Sequence, residues 1–181
     1  MKQLRGTPLK RFLRSLPPPP SATELVVVCQ SVAYPVNVGS IFRIADALNV
    51  AQVVLTGITP TPPHPTISKT GRDKDRRVPW RYVDRPEDAL SELRAAGFWL
   101  GALEITDECQ PYYAVDYPRR VALVLGNEDH GVTRACLDLC DAALYVPMYG
   151  KGQSLNVHVS LAVVGYHLLH RQTYRDQEVE P

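Results

Sequence analysis

The sequence predicts an α/β domain whose mainly parallel sheet is flanked by helices. Continuous β-branched runs such as Glu24–Gln30 are typical of strands buried on both faces. These runs alternate with helical patterns, in which apolar residues recur at i, i+3, i+4 and i+7, as at Ile41, Ile44, Ala45 and Leu48. The length of 181 residues accommodates one domain rather than two.

The first half of the domain is predicted to contain two strands, one helix and a long loop. The first strand, Glu24–Gln30, leads through Gly39 and Ser40 into the helix, and Gln52–Thr56 is the second strand. The stretch 59–79 is rich in proline and basic residues, so we expect a long loop there. Loops of this length are usually functional or mobile.

The second half repeats the alternation of helices and strands. A helix over residues 86–96 is predicted because proline stands at its start and Gly97 just past its end. The last helix, 154–171, is apolar on nearly every side and is expected to be buried. The other predicted elements are strands at 98–103, 121–125 and 142–146 and a short helix at about 133–139.

Composition excludes several classes of protein. With 45% apolar and 22% charged residues the chain is globular, and no apolar run approaches the ~18 residues of a membrane helix. We find no secretory signal. The four cysteines have no metal-site spacing and suit a reducing cytoplasm, and the scattered histidines form no ligand set, so no metal and no membrane contact are expected.

Charge is distributed unevenly along the chain. Residues 1–23 hold five basic residues and no acid, whereas the rest holds 15 basic and 19 acidic residues. Prolines 17–20 are expected to separate this leader, 1–23, from the domain at 24–175, which a short tail, 176–181, follows. A second basic cluster lies at 69–81. Both segments are candidates for contacts with phosphates, and an ordinary solvated surface is the alternative.

Three loops are expected at the carboxyl ends of strands, where ligands bind to such sheets. In the loop 37–43, an exposed Asn37 and Gly39 could place backbone amides toward an anion, and Arg43 stands a turn into the helix; an ordinary helix cap with a surface arginine is the alternative. The loop 125–131 carries Glu128 between two glycines but lacks the residues of a phosphate loop. The loop 146–157 is glycine-rich and ends at a helix for which Ser154 could be the N-cap.

Taken together and in this order, the three segments resemble the motifs of the SpoU/TrmH family of RNA ribose 2′-O-methyltransferases, within the SPOUT class. The resemblance extends from about residue 24 to residue 170. It implies S-adenosylmethionine as cofactor, a homodimer, and a deep C-terminal trefoil knot that holds the cofactor. Such a knot departs from the general rule that chains do not thread loops.

The resemblance also implies the site residues. Where smaller residues commonly follow Asn156, this chain has His158, which we expect to face helix packing or the dimer contact rather than the chemistry. The implied catalytic residues are Asn37 and Arg43 of the first motif, Glu128 of the second, and Ser154 and Asn156 of the third. The implied cofactor-binding residues are Leu125, Gly126, Val146, Met148, Gly150 and Leu155.

The chemistry assigns roles to these residues. A ribose hydroxyl is a poor nucleophile while protonated, so it needs a base or a group that stabilises its developing charge. An arginine with a pKa above ~12 is almost never neutral, so we expect Arg43 to donate to the 2′-oxygen, with direct proton acceptance as the alternative. Asn37 and Asn156 are suited to holding the ribose and the loop geometry. Glu128 is suited to fixing Asn37 or Arg43. Ser154 is suited to helix capping or substrate contact.

The sequence therefore predicts an RNA 2′-O-methyltransferase that acts on structured RNA. Transfer RNA is favoured over ribosomal RNA because the catalytic domain is compact and has only short appendages. The alternatives are a ribosomal RNA methyltransferase and a non-catalytic RNA-binding protein with the same fold. A nucleotide-dependent oxidoreductase is disfavoured because no G-x-G-x-x-G motif follows the first strand.

Overall fold

The computed structural model describes residues 1–17 and 23–177. Its strands are β1 (Glu24–Gln30), β2 (Gln52–Thr56), β3 (Trp80–Val83), β4 (Trp99–Leu103), β5 (Gln110–Pro111), β6 (Arg120–Leu125) and β7 (Ala142–Tyr145). They form one sheet in the order β3-β2-β1-β6-β4-β7-β5, and every neighbouring pair is parallel. The expectation of a mainly parallel sheet flanked by helices is confirmed.

Helices cover both faces of the sheet. The helices of the described residues are α1 (Gly6–Ser15), α2 (Pro35–Ala47), α3 (Pro65–Gly71), α4 (Pro86–Ala95), α5 (Arg134–Leu137) and α6 (Val157–Gln177), of which α1 contributes no residue to either core. Buried residues of α2 and α6, such as Phe42 and Leu161, belong to the core on one face. Buried residues of α4 and α5, such as Leu90 and Cys136, belong to the core on the other.

The two central strands, β1 and β6, explain why the sheet is buried on both sides. Successive side chains of a strand point to opposite faces. Thus Val27 and its neighbour Leu123 face α2 and α6, whereas Val28 and its neighbour Val124 face α4 and α5. All four side chains are fully buried, which requires apolar residues at successive positions.

The expected long loop at 59–79 is wrong in part, because it contains α3 and a 3-10 turn, Lys74–Arg76. The loop is expected there because the stretch is rich in proline and basic residues, but Pro65 stands at the start of α3, where proline is tolerated. The His64 side chain caps the helix by accepting the backbone N–H of Thr66 at 3.2 Å. Strand β3 then follows, as an edge strand that the sequence analysis did not predict.

Helices reach into the segments expected to be the leader and the tail. The leader contains α1, whose apolar residues Leu9, Phe12 and Leu13 are exposed and which buries no residue. The proline separator lies mostly outside the described residues, since 18–22 are not described. Helix α6 continues past the expected tail boundary at 175/176, and 178–181 lie outside the described part. Within the described ranges, no helix has both the length and the apolar character that crossing a bilayer requires.

Candidate active site

A cavity of about 380 Å³ opens at the carboxyl ends of β4, β6 and β7. Two of the three predicted motif loops form it, because residues 125–128 follow β6 and residues 146–157 follow β7. The segment Leu103 to Ile105, at the end of β4, completes the wall. Parallel pairing of these strands places their last residues at the same edge of the sheet, which brings the loops together.

The cavity wall contains most of the residues expected to hold the cofactor. Apolar side chains dominate this part of the wall, with Gly126 among them. Gly150 is the exception, because it is exposed in the loop after β7 and does not line the cavity. The lining residues from that set are Leu125, Gly126, Val146, Met148 and Leu155.

Glu128 lies on the same wall and connects two motif loops. Its carboxylate accepts the backbone N–H of Ala33 at 2.8 Å and that of Tyr34 at 3.2 Å. It also accepts the side-chain amide N–H of Asn37 at 2.7 Å. Asn37 is only 5% exposed, so the expectation of an exposed asparagine is wrong. The acid therefore fixes the turn between β1 and α2 and orients a buried amide.

A second chain of contacts joins Asn37 to the start of α6. The amide oxygen of Asn37 lies 3.3 Å from His158 Nδ1, and since that oxygen can only accept, the ring nitrogen donates. Burial lowers the pKa of His158, which favours the neutral ring. The side chain of Asn156 accepts the backbone N–H of His158 at 3.3 Å. Glu128, Asn37, His158 and Asn156 thus form one hydrogen-bonded series.

The loop after β6 is held tightly by its own backbone. Asn127 and Gly131 exchange two backbone hydrogen bonds, of 3.1 and 2.8 Å. A Cβ atom added at Gly126 would lie 2.5 Å from the backbone nitrogen of Val132 and closer still to the carbonyl carbon of Gly131. Gly131 has φ +67°, in the left-handed region that favours glycine. Both glycines are therefore required by the backbone of the loop.

Arg43 is not brought to the cavity of its own chain. It is exposed on α2, and it makes no hydrogen bond or ion pair with any residue in the described ranges. Val36, Ser40 and Ala47 lie at helical spacing from it and are exposed or half-buried. The single chain therefore does not bring Arg43 together with Glu128, Ser154 and Asn156 at the cavity.

Ser154 and Asn156 both line the cavity, but the expected cap at Ser154 is wrong. Helix α6 begins at Val157 rather than at 154, and Asn156 precedes it. The backbone carbonyl of Asn156 accepts the N–H of Val159 at 2.9 Å, and its side chain accepts from His158. Asn156 is therefore the N-cap, which leaves the Ser154 side chain exposed at the rim.

Sequence reasoning missed Glu104, which lines the cavity directly after β4. Its position immediately after a buried strand is the same signal that identified the other loops. Sequence reasoning also excluded His158 from the chemistry, although His158 contacts Asn37. Among the described residues, no group of three or more His, Cys, Asp or Glu side chains could hold a metal ion.

Comparison with known proteins identifies the family. Residues 24–166 match the SpoU rRNA Methylase family, which is well over half of the chain. This chain belongs to the SpoU methylase family. The family expected from the three motifs is confirmed, and its match includes every motif residue from Asn37 to Asn156.

Two curated members of the SpoU family are similar in sequence. A tRNA (guanosine(18)-2′-O)-methyltransferase of Thermus thermophilus is 32% identical over 141 residues, which is 78% of this chain and 72% of that protein. A 23S rRNA (guanosine-2′-O-)-methyltransferase of Neisseria meningitidis is 30% identical over 156 residues. That match covers 86% of this chain and 60% of the relative, so the chain spans about three fifths of the ribosomal RNA enzyme.

A solved structure of the SpoU family supports the fold. The SpoU methyltransferase AviRb from Streptomyces viridochromogenes, in complex with the cofactor AdoMet, superposes with a TM-score of 0.75 at 25% identity. The superposition covers 84% of this chain and 62% of that one. The trefoil knot implied by the family stays a prediction here.

Proposed function

We propose that this chain transfers a methyl group from S-adenosylmethionine to a ribose 2′-hydroxyl of RNA, with transfer RNA as the favoured substrate. The observation that carries the proposal is the meeting of two family motif loops, 125–128 and 146–157, on one cavity wall. Transfer RNA is favoured because the relative matched over the larger share of its own length acts on tRNA. We propose the cytoplasm as the place of action, in keeping with four free cysteines.

The cavity fits S-adenosylmethionine in size and chemistry. A volume of about 380 Å³ lies within the range of ~300–1,000 Å³ that is usual for cofactor pockets. Leu125, Val146 and Leu155 provide apolar surface for an adenine ring, and Gly126 lines the cavity beside them. Two carboxylates, Glu104 and Glu128, suit a positively charged ligand. When bound, the cofactor supplies an electrophilic methyl group on a positively charged sulfur. Because the sulfur is the leaving group and already carries that charge, its departure needs no metal.

The residues of the chain activate and orient the hydroxyl. Arg43 donates to the 2′-oxygen and stabilises its developing negative charge, since its guanidinium is almost never neutral. Asn156 and Ser154, on the cavity rim, are positioned to contact the ribose. Glu128 acts indirectly, because its carboxylate is occupied by the backbone after β1 and by Asn37. Glu128 and Asn37 are therefore positioning residues in this mechanism.

We propose that the enzyme works as a homodimer in which Arg43 serves the cavity of the second copy. Arg43 is exposed, lacks a partner in the described part of the chain, and does not line its own cavity. A second copy packed on α2 would cover the exposed side chains Val36 and Ala47 and bring Arg43 to a cavity.

Mixed dimers test this arrangement. Arg43→Ala should lose about 10²-fold or more in rate with nearly unchanged cofactor affinity, and Arg43→Lys should recover little because it lacks the planar fork. Mixing Arg43→Ala with Asn156→Ala by co-expression should restore about a quarter of the wild-type rate, because half of the dimers are mixed and each keeps one intact site. No recovery would place Arg43 and Asn156 in the same chain's site.

The RNA partner is expected to meet two basic surfaces. In the 69–81 cluster, Lys74 pairs with Asp46 at 2.6 Å and Arg81 pairs with Glu92 at 2.7 Å. The exposed residues of the cluster without an ion pair to a described residue are Lys69, Arg72 and Arg77. With the basic residues of α1, these three are the candidates for phosphate contacts.

A methyl-transfer assay decides between the candidate substrates. Tritiated S-adenosylmethionine is incubated with the protein and with separated transfer RNA or ribosomal RNA that lacks 2′-O-methyl groups. Incorporation into transfer RNA is the expected result. Incorporation only into ribosomal RNA would favour the alternative substrate, and RNA binding without incorporation would indicate a non-catalytic RNA-binding protein.

A further inference from the structure

The charge on the cavity wall is entirely negative. Among the described residues that line it there are two carboxylates, Glu104 and Glu128, and no lysine, arginine or histidine. Lys151 lies in the adjoining loop, but it is exposed and does not line the cavity. A ligand in this cavity therefore meets acidic side chains without a compensating base.

The two carboxylates are not equivalent. Glu128 receives three N–H donors, from Ala33, Tyr34 and Asn37, all on the side of β1 and α2. Those donors offset much of its charge. An ionised carboxylate has about four acceptor positions, so Glu128 keeps little capacity for a ligand.

Glu104 keeps more of its charge available. Its Oε2 accepts the backbone N–H of Val132 at 2.8 Å, and its Oε1 accepts that of Ile105 at 2.9 Å. It forms no ion pair with any residue in the described ranges. About two of its acceptor positions remain unused, and they belong to a half-buried group on the cavity wall.

The position of the Glu104 carboxylate is also fixed. A Cβ atom added at Gly131 would overlap the carboxylate, so the loop after β6 packs directly against it. The bond from Val132 holds it from the same side. A charge held in place beside a cavity interacts more strongly with a bound charge than a mobile surface carboxylate does.

We propose that Glu104 is a specificity-determining residue that favours the positively charged cofactor over its uncharged product. This inference depends on the proposed function. S-adenosylmethionine carries a sulfonium in addition to its ammonium and carboxylate, whereas S-adenosylhomocysteine carries only the latter two. Methyl transfer therefore removes one positive charge from the cavity and weakens the attraction to Glu104. The acid assists binding of the methyl donor and release of the product.

Calorimetric titration of both ligands tests the inference without turnover. The dissociation constants of S-adenosylmethionine and S-adenosylhomocysteine are measured for the wild type, for Glu104→Gln and for Glu108→Gln. Glu104→Gln removes the charge and keeps one side-chain oxygen, which can accept only one of the two backbone donors, Val132 or Ile105. The loss of charge should lower the preference for the methyl donor about tenfold. Glu108 is exposed in the same loop and does not line the cavity, so Glu108→Gln should leave the preference unchanged.

The outcomes separate the inference from the proposed function. An unchanged preference, or equal weakening of both ligands in Glu104→Gln, would overturn the specificity role while leaving the methyltransferase proposal intact. Failure of the wild type to bind either ligand would instead contradict the proposed function. If Glu104→Gln does not fold, salt provides the second measurement, because screening should lower the wild-type preference about threefold between low and high ionic strength. A preference that salt does not alter would overturn the inference.

Discussion

Replacing Glu128 by alanine should destabilise the fold as well as the site. The substitution removes the acceptor for the backbone N–H groups of Ala33 and Tyr34 and for the amide of Asn37. The backbone donors belong to the turn between β1 and α2, and Asn37 lies in the first turn of α2. Without the carboxylate, among the described residues only the bonds from the Asn127 side chain to the Ser31 carbonyl and from the Tyr34 hydroxyl to Asp129 still join the turn to the loop after β6.

The magnitude follows from the exposure of each donor. A hydrogen bond to a charged group contributes about 1.5–3 kcal/mol, and an unpaired buried polar group costs a similar amount. Asn37 is 5% exposed, so its bond counts in full, whereas water can replace the carboxylate at Ala33 and Tyr34. The free energy of unfolding should therefore fall by about 3 kcal/mol, a large share of the ~5–15 kcal/mol of an ordinary domain.

Urea denaturation followed by circular dichroism measures this change, with equal m-values required for the comparison. Asp129→Ala is the matched control, because that neighbouring carboxylate is exposed and accepts one hydrogen bond, from the Tyr34 hydroxyl at 3.3 Å. The control should lose less than about 0.5 kcal/mol. A loss below about 1 kcal/mol in Glu128→Ala would refute the view that Glu128 fixes the turn.

Three further predictions concern the loop, the histidine and the leader. Gly126→Ala should lose about 2 kcal/mol of stability, because the added Cβ would overlap the backbone of the loop, and calorimetry should show that it has lost its affinity for S-adenosylhomocysteine. In the control variant Gly150→Ala, the added Cβ meets no atom within 4 Å, so this variant should bind S-adenosylhomocysteine as the wild type does. Burial lowers the pKa of His158 below its ordinary 6.5, so the unfolded chain takes up the proton first and stability falls as the pH drops below that value. His158→Gln should show a shallower acid loss in denaturation curves measured between about pH 7 and pH 5, and a slope equal to that of wild type would contradict this. Deleting residues 1–16 should flatten the salt dependence of RNA binding by about 0.7–0.9 in log–log slope per lost phosphate contact. If the truncated and full-length proteins instead have identical slopes, and a variant with alanine at Lys69, Arg72 and Arg77 has a flatter one, RNA binding would be assigned to the 69–81 cluster.

The sheet could be predicted from the sequence because its strands carry their own signal. β1 and β6 are apolar at successive positions, and only a strand buried on both faces requires that. The edge strand β3 lacks this signal, since its residues are exposed or half-buried. Helix α3 was missed because Pro65 marks a helix start as well as a loop, and the His64 side chain that caps it is not a common capping residue.

The candidate site, like the fold, could be predicted from the sequence only in part. The loops that carry Glu128 and Asn156 could be identified because they follow strands, and the cavity lies at the ends of those strands. The choice of these two residues within the loops rests on the resemblance to the family. The separation of Arg43 from the cavity could not be predicted, because it depends on how α2 packs in the fold, for example against α3. That packing is close, since a Cβ atom at Gly39 would lie 2.8 Å from the carbonyl oxygen of Ile67. Contacts between residues distant in sequence, such as His158 with Asn37, leave no periodic pattern to read.

Nucleoside mass spectrometry tests the proposed activity most directly. Transfer RNA without modifications is incubated with the protein and S-adenosylmethionine and digested to nucleosides, and the site of each added methyl group is read from the fragmentation of ribose and base. We expect a methyl group on the 2′-oxygen of the ribose with the wild-type protein. We expect no such methyl group with Arg43→Ala. A methyl group on a base, or an unmethylated digest from both transfer and ribosomal RNA, would contradict ribose 2′-O-methylation by this chain.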